Sequence, residues 1–198
     1  QFVTNNYSVI RSYVPSRMWE MIRPMNSPLQ SGFINNIRMK DDQLAFEGET
    51  FLKRDRARMS VDIADSKFVN IMTARHCKGV TVFTDDKKGA FEVHAAHRDV
   101  RYAPGRVIYR YRLKGWAAAG EYGTAGSHAE LEKELGERIR RKITEIVDSA
   151  RAQGMDVLGI GEAFRRRGWN TDDWERRIKT LDIRFEVDVT VLSGLGKT

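Results

Sequence analysis

Residues 156–196 read DVLGIGEAFRRRGWNTDDWERRIKTLDIRFEVDVTVLSGLG, and the order of signals within them decides the fold class. A short apolar run, Val157 and Leu158, enters Gly159-Ile160-Gly161. Helical turns are then expected over Glu162 to Arg167 and over Thr171 to Leu181. Asp172 and Asp173 would fall in the first turn of the second helix, where the helix dipole favours acids. The stretch ends in clean alternation: Ile183, Phe185, Val187, Val189 and Val191 against Arg184, Glu186, Asp188 and Thr190. A period of two with one apolar face reads as a half-buried strand. Helices followed by such a strand need a sheet to pack on, and the upstream chain supplies it.

Working back, the strongest helix spans Ser127 to Gln153. Ser127 with Glu130 three residues later fits a capping box, and Leu131, Leu135, Ile139, Ile143, Ile146, Val147 and Ala150 form one apolar stripe that stops before Gly154. Glu134 with Arg138 and Glu137 with Arg141 are i,i+4 pairs on the wetter side, worth roughly 0.2–0.5 kcal/mol each, so burial of the stripe dominates. Ala117 to Gly126 has no period and reads as a loop. Arg106 to Trp116 alternates, with Val107, Tyr109, Tyr111 and Leu113 on one face and Ile108, Arg110, Arg112 and Lys114 on the other.

Further upstream, Gly79 to Thr84 and Ala90 to Arg98 form an expected hairpin around the turn-forming stretch Asp85 to Gly89. Ser60 to Arg75 reads as a helix with Ile63, Phe68, Ile71 and Met72 on one face and Asp62 and Asp65 near its start. Ile34 to Lys40 and Gln43 to Phe51 form a first hairpin about Asp41-Asp42. Residues 1–33, broken by Pro15, Pro24 and Pro28, read as a connector or the remnant of a preceding domain, with only Ser16 to Arg23 suited to a short helix. The sum is an α+β domain over residues 34–198: a mainly antiparallel sheet with the long helix and the shorter helices packed on it.

Composition narrows the function classes. With 198 residues and 41% hydrophobic content the chain can bury a substantial core. One cysteine, Cys77, excludes an intramolecular disulfide and a cysteine-rich zinc site, and reads as a small side chain near a strand start. No run approaches the roughly 18 apolar residues of a membrane-spanning helix, and the amino terminus has no signal-peptide layout. The chain as given is therefore expected to be soluble, and Gln1 in place of Met suggests that it begins inside a longer protein. Lys and Arg outnumber Asp and Glu by 34 to 27, a formal charge of +7 that favours anionic neighbours. A nucleic-acid-binding domain is the alternative this charge invites, but neither an aromatic RNA-binding strand nor zinc-finger spacing accompanies it.

The candidate chemical motifs mostly fail on spacing. Gly159-Ile160-Gly161 imitates a dinucleotide-binding turn, yet Phe164 stands at the third glycine position. Gly194-Leu195-Gly196-Lys197-Thr198 imitates the end of a phosphate-binding loop, but Val191 occupies its first glycine position. The glycines of the first motif read instead as tight packing under the long helix. His94 and His97 lie an odd number apart on a strand, so they face opposite sides unless the strand bulges; His76 and Cys77 have no further ligand at a zinc spacing. Glu162, beside Arg165 to Arg167, could serve an unrecognised hydrolase, but no nucleophile elbow or triad pattern accompanies it. It reads better as a helix-dipole partner, ion-paired to a nearby arginine. No catalytic residue, cofactor or metal is assigned.

The run Asp156 to Arg167 resembles the signature of the Ger(x)C family of spore-germination lipoproteins: Asp, apolar, Phe or Leu, Gly, apolar, Gly, Glu, then a basic helix. A tryptophan-containing helix around Asp173-Trp174-Glu175, the strand Phe185 to Val189 and the ending Ser193-Gly194-Leu195 come next, in the family's order. Leu44 to Asp55 is similar to an upstream family strand, so the likeness covers residues 34 to 196. Met59 stands where a glycine is common, and Gly168-Trp169-Asn170 replaces a more usual Tyr-Pro segment.

The resemblance implies that Asp156, Gly159, Gly161, Glu162, Phe164, Arg165 and Trp174 are structural family-motif residues. It further implies a non-enzymatic lipoprotein subunit of a germinant receptor. Such a subunit is lipid-anchored, in the manner of a palmitate-bearing cysteine upstream of Gln1, and faces outward on the spore inner membrane. It sits there beside integral-membrane A and B type subunits.

Overall fold

The computed structural model describes residues 27–40, 43–54, 56–73, 77–84, 90–118 and 125–192. In chain order the elements are β1 (Gly32–Lys40), β2 (Gln43–Lys53), β3 (Arg56–Asp62), α1 (Ile63–Thr73), β4 (Thr81–Phe83), β5 (Ala90–Ala103) and β6 (Arg106–Ala118). They continue with α2 (Ala125–Ala152), α3 (Ile160–Arg166), α4 (Trp174–Thr180) and β7 (Asp182–Val191). The strands form two sheets, ordered β1-β2-β3 and β4-β5-β6-β7. This is the expected α+β architecture.

The second sheet follows directly from alternation. Val107, Tyr109, Tyr111 and Leu113 of β6 are buried while Arg110, Arg112 and Lys114 are exposed. β5 and β6 join through Pro104-Gly105, with Gly105 at φ 82°, and pair antiparallel from Ala103↔Arg106. β7 pairs with β6 in parallel, from Arg106↔Asp182 to Gly115↔Val191. The parallel pair has a plain cause: three helices intervene, and a crossover of that length returns the chain to the end of the sheet where β6 began.

α2 lays its stripe on this sheet. Leu131, Leu135, Ile139, Ile143, Val147 and Ala150 are all buried. Each such large aliphatic side chain contributes roughly 1.5–3 kcal/mol, well above an exposed ion pair at about 0–1. Gly136 brings the helix close to β7, since a Cβ there would sit 3.2 Å from the Val187 carbonyl oxygen. α1 contributes Phe68, Val69, Ile71 and Met72 to the same core, which also takes in Phe51 and Val61 of the first sheet.

Several expectations require correction. Ser60, Val61 and Asp62 belong to β3 and not to a helix, because Val61 pairs with Glu49 and points inward. Asp62 then ends the strand and caps α1, its Oδ1 accepting the Asp65 amide at 2.9 Å, and Ile63 is left exposed. β2 and β5 run further than expected, to Lys53 and Ala103. α2 begins at Ala125, so Ser127 lies inside the helix and is not its cap. Ala117 and Ala118 extend β6 and are not loop. Val157 and Leu158 form a turn, not a strand entry. Asp172 and Asp173 precede α4, with Asp173 at φ 47°, and the acid of its first turn is Glu175. The expected helix at Ser16 to Arg23, the turns at 41–42 and 85–89, His76, and the ending from Ser193 lie outside the described residues.

Candidate functional site

α2 ends at Ala152, and Gly154, with a φ of 69°, turns the chain away from it. Met155 and Asp156 follow as buried residues. Asp156 cannot reach water, so its oxygens collect amides from the chain immediately ahead. Its Oδ2 accepts the Gly161 N–H at 2.7 Å and the Trp174 Nε1–H at 3.1 Å. Its Oδ1 accepts the Leu158 N–H at 3.2 Å, and its backbone carbonyl accepts the Ser31 N–H at 2.9 Å. One residue therefore ties together the end of α2, the start of α3, α4 and the segment before β1. Burial pushes its carboxyl up to about 6, against the opposing pull of the Gly161 and Ile160 amides and the Trp174 indole.

The two motif glycines are explained by what surrounds them. Gly159 sits at φ 71°, and a Cβ there would press on the Gln30 side chain at 3.2 Å. A Cβ at Gly161 would lie 2.7 Å from both the Leu29 carbonyl oxygen and the Trp174 ring. The expectation that these glycines pack beneath the long helix is thus corrected: their close neighbours are the 29–30 segment and α4.

Phe164, one turn further, is fully buried and meets Trp169 at 4.9 Å and Trp174 at 5.5 Å, both edge to face. Tyr102 approaches Phe164 from β5, and the Arg167 guanidinium lies 4.1 Å from the centre of the Tyr102 ring. The replacement of a Tyr-Pro segment by Gly168-Trp169-Asn170 is accommodated by this cluster, which uses Trp169 as a wall. Glu162 and Arg165 lie on the outside. The Ser27 hydroxyl donates to Glu162 Oε1 at 2.6 Å, and Arg165 pairs with Oε2 at 2.8 Å. These two contacts, the Ser27 bond first, hold Glu162 below the usual carboxylate range. Ser27, Pro28, Leu29, Gln30, Glu162 and the arginines 165 and 166 line a shallow groove of about 320 Å³ there.

The seven motif residues therefore divide. Asp156, Gly159, Gly161, Phe164 and Trp174 face one another or their immediate packing partners, while Glu162 and Arg165 form the outer rim. Sequence reading did not bring Ser27 to Ser31 or Tyr102 to this place. Ser27 is 135 positions from Glu162, and no local periodicity carries a contact of that range.

The remaining candidates lie elsewhere. β5 bulges between Val93 and Ala95, so His94 and His97 share the exposed face instead of opposing each other. The His94 ring stacks on Trp116 at 5.1 Å, and His97 Nε2 meets Asp99 Oδ1 at 2.9 Å. Among the described residues no group of three or more His, Cys, Asp or Glu could hold a metal ion. Cys77 is buried, donates to the Asn70 carbonyl at 3.0 Å, and has its thiol pushed up to about 12 by burial. Among the described residues no helix is long and apolar enough to cross a membrane.

A family model described as Spore germination B3/GerAC like, C-terminal, matches residues 48–194, which include the whole Asp156 to Trp174 cluster. The chain is also similar in three dimensions to the crystal structure of the GerBC protein, with a TM-score of 0.74 at 13% sequence identity. That likeness covers 91% of this chain and 62% of the other. No curated protein matches the chain.

Proposed function

Because the chain belongs to the spore germination B3/GerAC-like C-terminal family, a family of germinant-receptor C subunits, we propose that it is the carboxyl-terminal domain of a non-catalytic lipoprotein subunit. In this reading the parent protein is held by a lipid anchor on the outer side of the spore inner membrane. It works there as an interaction module beside the integral-membrane A and B type subunits.

The observation that carries the proposal is the family match over residues 48–194, reinforced by the way the matched motif is used. Asp156, Gly159, Gly161, Phe164 and Trp174 are engaged with their own neighbours at hydrogen-bond or ring-contact distance. On this account the motif is architecture: it fixes α3 and α4 against the sheet, and Glu162 with Arg165 closes its rim. A domain whose most family-like residues build its own interior fits a docking subunit.

The test is copurification from spores carrying an affinity tag on the full-length parent protein. Recovery of polytopic membrane proteins in fixed proportion to the tagged protein is the expected result. Recovery of the tagged protein in full yield with no polytopic membrane protein would remove the receptor-subunit reading.

A further inference from the structure

Basic residues are spread over the whole surface, but they are not equivalent. On the open face of the second sheet Arg106 and Arg184 both meet Asp182, Arg110 meets Glu186 and Arg112 meets Asp99. The hairpin between β2 and β3 is different. Lys53, Arg54, Arg56 and Arg58, with Gln153 and Glu175, line a groove of about 400 Å³. Among the described residues Arg54, Arg56 and Arg58 reach no carboxylate within ion-pair distance. The carboxylate lining the groove, Glu175, already bonds Lys53 at 2.8 Å. Counting Asp55 from the sequence still leaves four cations against two carboxylates.

The groove is also shaped. Lys53 is fixed from two sides, donating to the Gly154 carbonyl at 2.8 Å as well as to Glu175, and its side chain is only 12% exposed. Its ammonium therefore forms a set floor. Arg56 and Arg58 are both exposed on β3, Arg58 at the bulge where the register against β2 shifts, and both line the groove. Arg54 and Asp55 are the two residues between the paired Lys53 and Arg56. Arg54 takes φ 56°, a conformation that such tight hairpins ordinarily give to Asn or Gly. Arg54 puts a third guanidinium at the lip of the groove.

We propose that this groove is a binding site for a phosphate group. The chemistry matches: guanidinium forks engage phosphate oxygens in pairs, and a phosphate offers more acceptor oxygens to several donors at once than the two of a carboxylate. The volume falls in the range of small-ligand sites and admits a phosphomonoester or the phosphodiester of a lipid headgroup. The site stands on the groove's own residues and is independent of the receptor-subunit reading.

The test uses the 198-residue chain and backbone amide NMR shifts at about 50 and 150 mM salt, chosen because screening separates a built site from diffuse attraction. The probes are inorganic phosphate, glycerol 3-phosphate, and vesicles of phosphatidylcholine with or without phosphatidylglycerol. The expected result is a saturable response confined to residues 53–58 and the start of α4. The double variant Arg56→Glu/Arg58→Glu should weaken it about tenfold or more, with a melting temperature unchanged. Arg140→Glu/Arg141→Glu on the exposed side of α2 makes the same change in net charge and should leave the response intact. A response to soluble phosphates assigns a small phosphorylated ligand, and one to phosphatidylglycerol vesicles alone assigns a headgroup. Either result sustains the site. A response that is unsaturable, or equally weakened by both double variants, overturns it. So does duplex DNA binding that dominates every probe and is lost equally in both.

Discussion

Replacing Asp156 by Asn isolates what the buried carboxylate does. The side chain keeps its shape and one carbonyl oxygen, which can still accept from the Gly161 amide and the Trp174 indole. The new NH2 group then faces the Leu158 N–H, donor against donor. That conflict costs about 1–3 kcal/mol, and no longer burying a charge returns a similar amount, since a carboxyl raised from 3.8 to about 6 corresponds to about 3 kcal/mol at pH 7. At pH 7 the variant should therefore lie within about 2 kcal/mol of the parent protein. The sharper signature is in pH. The folded carboxyl titrates at about 6, above its ordinary value of 3.8, so between those values the folded state binds more protons than the unfolded one. Stability from this group is therefore greatest at low pH and falls as pH rises through about 4 to 6. Between pH 5 and pH 7 the linkage relation gives a loss of about 1 kcal/mol in the parent protein and none in the variant. The depressed carboxylates, Glu162, Glu175, Asp99 and Asp182, act with the opposite sign and below the usual carboxylate range, outside this window. Urea unfolding at pH 5 and pH 7 reads the difference directly. Equal pH responses in parent and variant would refute the buried-carboxylate account.

Three further substitutions probe the same region. Gly161→Ala should lower stability by about 2–3 kcal/mol by thermal or urea unfolding, because the added methyl meets the Leu29 carbonyl and the Trp174 ring at 2.7 Å. Glu162→Gln should cost less than about 1 kcal/mol, since the Ser27 hydroxyl can still donate to the amide oxygen and the Arg165 pair is on the rim. A cost as large as that of Gly161→Ala would move Glu162 into the interior framework. Tyr109→Phe should raise stability by about 1 kcal/mol, because the Tyr109 hydroxyl is buried with no hydrogen-bond partner among the described residues. A loss of stability there would reveal a partner for the hydroxyl.

Sequence patterns carried the framework wherever one period ran long enough. The stripe of α2, the alternation of β6 and that of β7 were legible because burial imposes 3.6- and 2-residue periods directly on residue choice. β3 was not: Arg56 to Asp62 offers only Val61 as a buried residue, because its first half is open and basic and a bulge breaks its alternation. The direction of β7 was not legible either, because alternation says which face is buried and nothing about the neighbour. The motif residues drew notice through a family resemblance, and their close packing on one another is what the structure adds. The clamp itself was not, because it depends on Ser31 meeting Asp156 across 125 residues and on Tyr102 meeting Phe164 from another element. The bulge at His94 is the exception that the parity argument left open, and parity alone could not locate it.

If the Asp156 to Trp174 cluster builds the domain of a receptor subunit and contacts no ligand, its substitution should change how much subunit is present and not how each molecule works. The germination rate of spores per molecule of full-length subunit retained in the membrane separates the two, measured for the parent protein and for Asp156→Asn and Gly161→Ala. Gly161→Ala should reduce the amount of subunit, and in both variants the rate per retained molecule should stay at the parental value. Either variant accumulating at the parental level, folded, yet leaving spores unresponsive would contradict the architectural role.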